Sequence, residues 1–283
     1  MNIKQLFCMI GVALLLAGCG TTQEYARPSA SIPGVFPSGE AYAGGNAAQG
    51  VLSALDIRWA DVFPDKKLQK VIVMALMNNR DLRIASLNVE RARAYYGIQR
   101  AELFPSVNAT ALGAKQRISE DLSTSGKAMT VEQYGVDLGI SAWEVDLFGR
   151  LRSLKAKSLQ EYLATEQAQR GAQTALISEV ARVYFTLAAD RENFKLAQST
   201  LQGREDVHRM IRQQYDSGVV TEIDLRRSQT QVDVARGDMA RYTQLVAQDR
   251  NALNLLAGGA VPEDLLPADL AAVAPPLDIA PGT

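Results

Sequence analysis

Apolar positions return every seven residues along most of this chain, and one stretch departs from that period. In 65–101, Ala75, Leu82, Val89 and Tyr96 fall seven apart, with Val71, Asn78, Ala85 and Ala92 as a companion row. This heptad seam predicts a helix over 65–101, and its alanines let a neighbouring helix approach closely. Farther on, Val180, Leu187, Phe194, Leu201, His208 and Tyr215 repeat the spacing beside Leu176, Val183, Ala197 and Ile211, with interruptions at Asp190 and Arg204. The pattern predicts a helix over 149–215, roughly 67 residues and about 100 Å long at 1.5 Å per residue. A third seam of Leu225, Val232, Met239, Val246 and Leu253 predicts a helix over 221–257 that stops at Gly258.

All ten prolines lie at or before Pro105 or at or after Pro262, so the middle of the chain is free to form uninterrupted elements. Leu103-Phe104-Pro105 closes the first helix. Ser106 to Ala114 is weakly alternating, and Lys115 to Thr130 reads as a polar connection rich in turn residues. In 131–142, Tyr134, Val136, Leu138, Ile140 and Ala142 alternate with Gln133, Gly135, Asp137, Gly139 and Ser141. Strands are therefore expected at about 106–114 and 131–142. Half-buried strands of soluble sheets share this pattern, and a membrane barrel strand needs only ~9–11 such residues. The expected fold is mainly α, a very long antiparallel coiled-coil-like helical hairpin with a two-stranded β-hairpin. Helices 65–101 and 221–257 together match the long helix in length, and the turn at 216–221 around Gly218 is the far tip.

The 283 residues carry a net charge of −1, with 47% apolar and 22% charged side chains. That balance gives no reason to expect nucleic acid, whose binders carry a basic excess. The first residues are a processing signal: Lys4, an apolar run from Leu6 to Ala17, then Leu16-Ala17-Gly18-Cys19. This end resembles the lipobox of bacterial lipoprotein precursors, which implies a signal peptide over 1–18 and diacylglyceryl attachment at Cys19. The other reading is an ordinary secretory signal with a chance cysteine. Cys8 would leave with the leader, so no disulfide is expected in the mature chain. Gly20, rather than aspartate, after the cysteine implies onward sorting to the outer membrane. Residues 19–64 read as an extended anchored segment, rich in Gly, Ala, Ser and Pro up to about Gly50.

Catalytic chemistry has little to work with. The single histidine, His208, sits on the seam between Leu201 and Tyr215, where a packed interface residue is expected. One histidine and an acylated cysteine cannot build a His/Cys metal cluster. Walker A, G-x-S-x-G and G-x-G-x-x-G sequences do not occur. No catalytic residue, metal or cofactor is expected, apart from the covalent lipid on Cys19. Arg226 and Arg227 read as a solvated face.

Taken in order, Trp59, Phe63-Pro64-Asp65, Asp81-Leu82, Leu103-Phe104-Pro105-Ser106-Val107, Trp143-Glu144-Val145-Asp146-Leu147-Phe148-Gly149-Arg150, Gly218, Thr221, Asp224-Leu225 and Ala252-Leu253 resemble the TolC-like outer-membrane efflux proteins. With the lipobox, the branch implied is the OprM/NodT-type lipoprotein channel of tripartite resistance-nodulation-division pumps. The resemblance implies a homotrimeric outer-membrane barrel on a periplasmic helical tunnel, partnered by a periplasmic adaptor and an inner-membrane pump. It also implies two similar repeats per protomer, of which 65–257 is one and 258–283 looks like the connector to a second. A fragment or truncated frame that forms no stable pore alone is therefore expected. Gly218, Thr221, Asp224 and Leu225 would dock the adaptor, or merely close the helical hairpin. Asp137 would face the lumen, or a solvent-facing loop edge. The rival reading is a lipid-anchored periplasmic coiled-coil scaffold without a pore.

Overall fold

The computed structural model describes residues 25, 26, 28 and 57–277. Cys19, the lipobox and the end of the connector lie outside the described residues. Among the described residues the chain is mainly helical with one two-stranded antiparallel sheet. It divides into two compact units, one built around 87–167 and the other from 29–86 with 168–283.

In the second unit, α1 (Trp59–Val62) leads through Pro64 to α2 (Lys66–Asn78). Asp65 starts α2, its carboxylate accepting from the N–H groups of Lys67 (2.8 Å) and Leu68 (2.9 Å). The Gln69 amide donates to the carbonyls of Ala60 and Phe63, tying α1 to α2. Leu68, Val71, Ile72 and Ala75 are buried against Leu176, Val180, Tyr184 and Leu187 of α4 (Arg150–Asp216) and Leu253 and Ala257 of α5 (Glu222–Ala257). Val261, Leu266 and Val273 close this core from the segment after α5. That segment is fastened by Arg191 to the Pro267 carbonyl (2.6 Å), by Lys195 to Asp269 (2.7 Å) and by the Tyr184 hydroxyl to the Leu265 carbonyl (3.2 Å).

The helix expected over 65–101 is interrupted. Asn79 takes an extended conformation (φ −61°, ψ 129°) between α2 and α3 (Arg80–Ala101). Its N–H closes α2 on the Ala75 carbonyl (2.8 Å), and its side-chain oxygen accepts from Leu82 N–H (2.9 Å), opening α3. Its amide also donates to the Leu256 carbonyl (3.0 Å), one of the groups the end of α5 leaves without a helical partner. Asn79 is therefore buried, whereas Asn78, expected on the seam, is exposed.

In the first unit, β1 (Ser106–Ile118) pairs with β2 (Met129–Ala142). Both strands run beyond the expected bounds. Lys115, Gln116 and Arg117 continue the ladder opposite Glu132, Val131 and Thr130 rather than forming loop. An ion pair between Lys115 and Glu132 shows why polar residues stay in register here. The ladder slips by one residue between Ser106 and Val107. Below the strands, Tyr96 of α3 stacks on Tyr162 of α4, with ring centroids 6.5 Å apart.

Candidate functional site

Strict alternation divides the hairpin into two unlike faces. Directly opposed residues share a face, so Val107, Ala109, Ala111 and Gly113 lie with Ile140, Leu138, Val136 and Tyr134. The other face carries Asn108, Thr110, Leu112 and Ala114 against Gly139, Asp137, Gly135 and Gln133. Tyr134, Val136, Leu138 and Ile140 are 67 to 80% exposed, and nothing in the described chain covers them. An exposed apolar row of this length marks an interaction surface. Asp137 lies on the opposite face, across from Thr110.

Where β2 gives way to α4, the run Trp143 to Arg150 sets the geometry. Gly149 takes a left-handed conformation (φ 78°), and having no side chain it cannot cap the helix it opens. Asp146 caps from three residues upstream, accepting from Arg152 N–H (2.9 Å) and from the Arg152 guanidinium (3.3 Å). Burial pulls this carboxyl upward as the largest single effect. The bonds from Arg152 and Leu151 N–H, with the Arg152 charge, outweigh it and hold the group below the usual carboxylate range. Arg150 forks onto Glu144 in a second charged clasp. The Trp143 indole N–H reaches back to the Leu103 carbonyl (3.4 Å), joining the bases of the two strands. Trp143, Val145, Leu147, Phe148 and Phe104 are all exposed at this level.

The helical tip belongs to the second unit. Val219 N–H bonds to the Gln214 carbonyl (2.8 Å) and Gly218 N–H to the Tyr215 carbonyl (2.9 Å), with Gly218 left-handed at φ 76°. These two bonds make a Schellman stop, which needs the glycine. Two residues on, Thr221 opens α5 through a capping box: its hydroxyl accepts from Asp224 N–H, and the Asp224 carboxylate accepts from Thr221 N–H (3.1 Å). Bonds from the Thr221 hydroxyl and backbone hold the Asp224 carboxyl below the usual range. Val219 and Ile223 project outward, while Leu225 is half-buried. An open groove beside the turn is lined by Arg204, Val207, Ile211, Arg227 and Gln231. Arg226 pairs with Glu222 along the exposed face of α5 (3.1 Å).

His208 is half-buried between α4 and α5, its Nδ1 lying 2.7 Å from the Ser228 hydroxyl. The Ser228 hydroxyl also lies 2.7 Å from the Leu225 carbonyl, so it joins His208 to the backbone of α5. Among the described residues no cluster of His, Cys, Asp or Glu could hold a metal ion, and no helix is long and apolar enough to cross a membrane.

This pairing of long helices with an outward-facing strand pair defines a class of protein, and comparison with known sequences gives it a family. The profile described as "Outer membrane efflux protein" matches residues 71–259. The chain belongs to that family. It is 41% identical over 262 residues to the "Probable efflux pump outer membrane protein TtgC" of Pseudomonas putida, covering 93% of this chain and 54% of that protein. It is 37% identical over 275 residues to "Outer membrane protein OprJ" of Pseudomonas aeruginosa, covering 96% of this chain and 56% of that protein. The chain thus spans about half the length of the curated relatives it matches. Among solved structures, a membrane protein from Pseudomonas aeruginosa superposes with a TM-score of 0.73 at 33% identity, over 94% of this chain and 58% of that one. The open state of the Neisseria gonorrhoeae MtrE outer membrane channel gives 0.65 at 33% identity, over 92% and 56%. Of these, TtgC is named as an efflux pump outer membrane protein and MtrE as an outer membrane channel.

Proposed function

We propose that this chain supplies half of an outer-membrane channel protomer for a tripartite efflux pump, a passive conduit through which small molecules leave the cell. The observation that carries the reading is the uncovered apolar face of the β-hairpin. Strands of 13 and 14 residues exceed the length a bilayer requires, and over 107–113 and 134–140 one face carries no charged residue. On this reading Val107, Tyr134, Val136, Leu138 and Ile140 face lipid and Asp137 faces a watery lumen. Trp143, Phe104 and Phe148 would sit at the membrane–water boundary, where aromatic rings are favoured. The tip at Gly218, Thr221, Asp224 and Leu225 would meet a periplasmic adaptor that connects the channel to an inner-membrane pump, and the working assembly would be a homotrimer. Acylation of Cys19 would add a lipid anchor on the same membrane.

Leu138→Arg tests the reading, because lipid and water give opposite answers. An exposed leucine in water tolerates arginine to within about 0.5 kcal/mol. At the middle of a bilayer the same change costs ~2–4 kcal/mol. Urea titration in phospholipid vesicles should show that loss for Leu138→Arg and almost none for Thr110→Arg on the lumen face. Equal and negligible losses at both positions would favour the pore-free scaffold, whose acyl anchor alone would hold it to the vesicles.

A further inference from the structure

Two carboxylates meet where α4 packs on α5. Asp249 Oδ2 is sealed from solvent and no donor reaches it, the only side-chain oxygen or nitrogen in that state among the described residues. Asp190 of α4 lies within hydrogen-bonding reach. Arg182 acts on Asp249 only through its charge, its guanidinium being held in a fork by Glu179 (2.8 and 2.6 Å). The other nearby cations are engaged elsewhere: Arg191 with the Pro267 carbonyl and Glu263 (2.7 Å), and Arg250 with Glu263 (2.9 Å). A buried acceptor without a donor, beside a second acceptor, is satisfied most simply by becoming a donor itself.

We propose that Asp190 and Asp249 share one proton, carried on Asp249 Oδ2 and donated to Asp190, so that the packing of α4 on α5 tightens in acid and loosens when that proton leaves. Burial pushes the Asp249 carboxyl above its ordinary 3.8, and the charge of Asp190 and the bond to it act in the same direction, with Arg182 opposing. The folded chain therefore holds this proton more tightly than the unfolded chain does. Its stabilisation is complete below 3.8 and is lost as pH rises through the raised value. A proton retained one pH unit further corresponds to about tenfold in the folded-to-unfolded ratio. The inference rests on the packing alone and does not depend on conduction.

The test compares the wild-type 283-residue chain in detergent with Asp249→Asn. The asparagine amide can donate to Asp190 as the shared proton does, and it has no charge to lose. Wild-type Tm should fall with rising pH over an interval in which the variant's Tm does not, leaving the variant the more stable near neutrality. Isotope-edited infrared spectra of the wild type should retain a protonated-carboxyl band at a pH where the urea-unfolded chain has lost it. That band should be missing from the variant. Parallel pH profiles for the two proteins would overturn the proposal. So would a wild-type spectrum lacking the band, which decides the matter even if Asp249→Asn does not fold.

Discussion

Asn79 lets the energetics of the helix break be measured residue by residue. Its side chain serves the ends of two helices at once, capping α3 through Leu82 N–H and satisfying the Leu256 carbonyl at the end of α5. Replacing it with alanine removes the cap, worth about 0.5–2 kcal/mol. The change also strands the Leu256 carbonyl at a site where Asn79 is only 8% exposed, for a further ~1–3 kcal/mol. Asn79→Ala should therefore lose roughly 1.5–5 kcal/mol. Asn79→Ser separates the two contributions, since a serine hydroxyl caps well but is too short to reach Leu256. It should recover about 1 kcal/mol of the loss. Urea unfolding followed by helical circular dichroism reads both as shifts in midpoint at constant slope. An alanine variant within about 0.5 kcal/mol of wild type, or a serine variant no better than alanine, would refute this account of the break.

Gly258→Ala and Gly218→Ala should differ although both glycines are left-handed. A Cβ on Gly258 would lie 2.7 Å from the Asn78 carbonyl carbon and nearer still to its oxygen, whereas Gly218 has open space around it. Thermal melts should show about 1–2 kcal/mol lost at Gly218 and about 2–5 kcal/mol at Gly258, where overpacking adds to the strain; equal losses would refute the close approach. At the tip, Thr221→Ala should cost about 0.5–2 kcal/mol and speed amide exchange over 222–226 without touching α2. Because Asp224 is held below its usual value, the box is intact above 3.8 and should open as pH falls through the lowered folded value, again seen as faster exchange in those residues.

The long seams were legible because a heptad repeat sustained over dozens of residues has few other solutions. The single extended residue at Asn79 was not, since a one-residue break leaves both flanking rows nearly in phase. Its signal was local, an asparagine followed two residues later by Asp81 in a first helical turn. The strands were seen where apolar residues alternate and missed where Lys115 to Arg117 continue the same alternation with charge. Polar residues in such a run suggest loop, although Glu132 stands opposite to pair with Lys115. At the tip, glycine followed by Thr-x-x-Asp announces stop and start together. Asp146 belongs to a recognisable run, yet its capping role depends on a left-handed Gly149 that sequence does not reveal. Asp190 registered only as a fault in a seam, because its partner lies 59 positions away on another helix.

The β-hairpin also constrains the order of events in assembly. It is a two-stranded sheet, so among the described residues each strand has one ladder edge on which no further strand pairs. Water satisfies the N–H and C=O groups of such an edge, but a hydrocarbon interior cannot, and each one left bare there costs several kcal/mol. On the proposed reading, a solitary hairpin would be drawn toward lipid by its apolar side chains and held at the surface by its unpaired backbone edges. On the same reading, partner strands would have to zip onto both edges before or during descent. On that footing, oligomerisation is the gatekeeper of insertion, and its concentration dependence should set the rate at which channels appear.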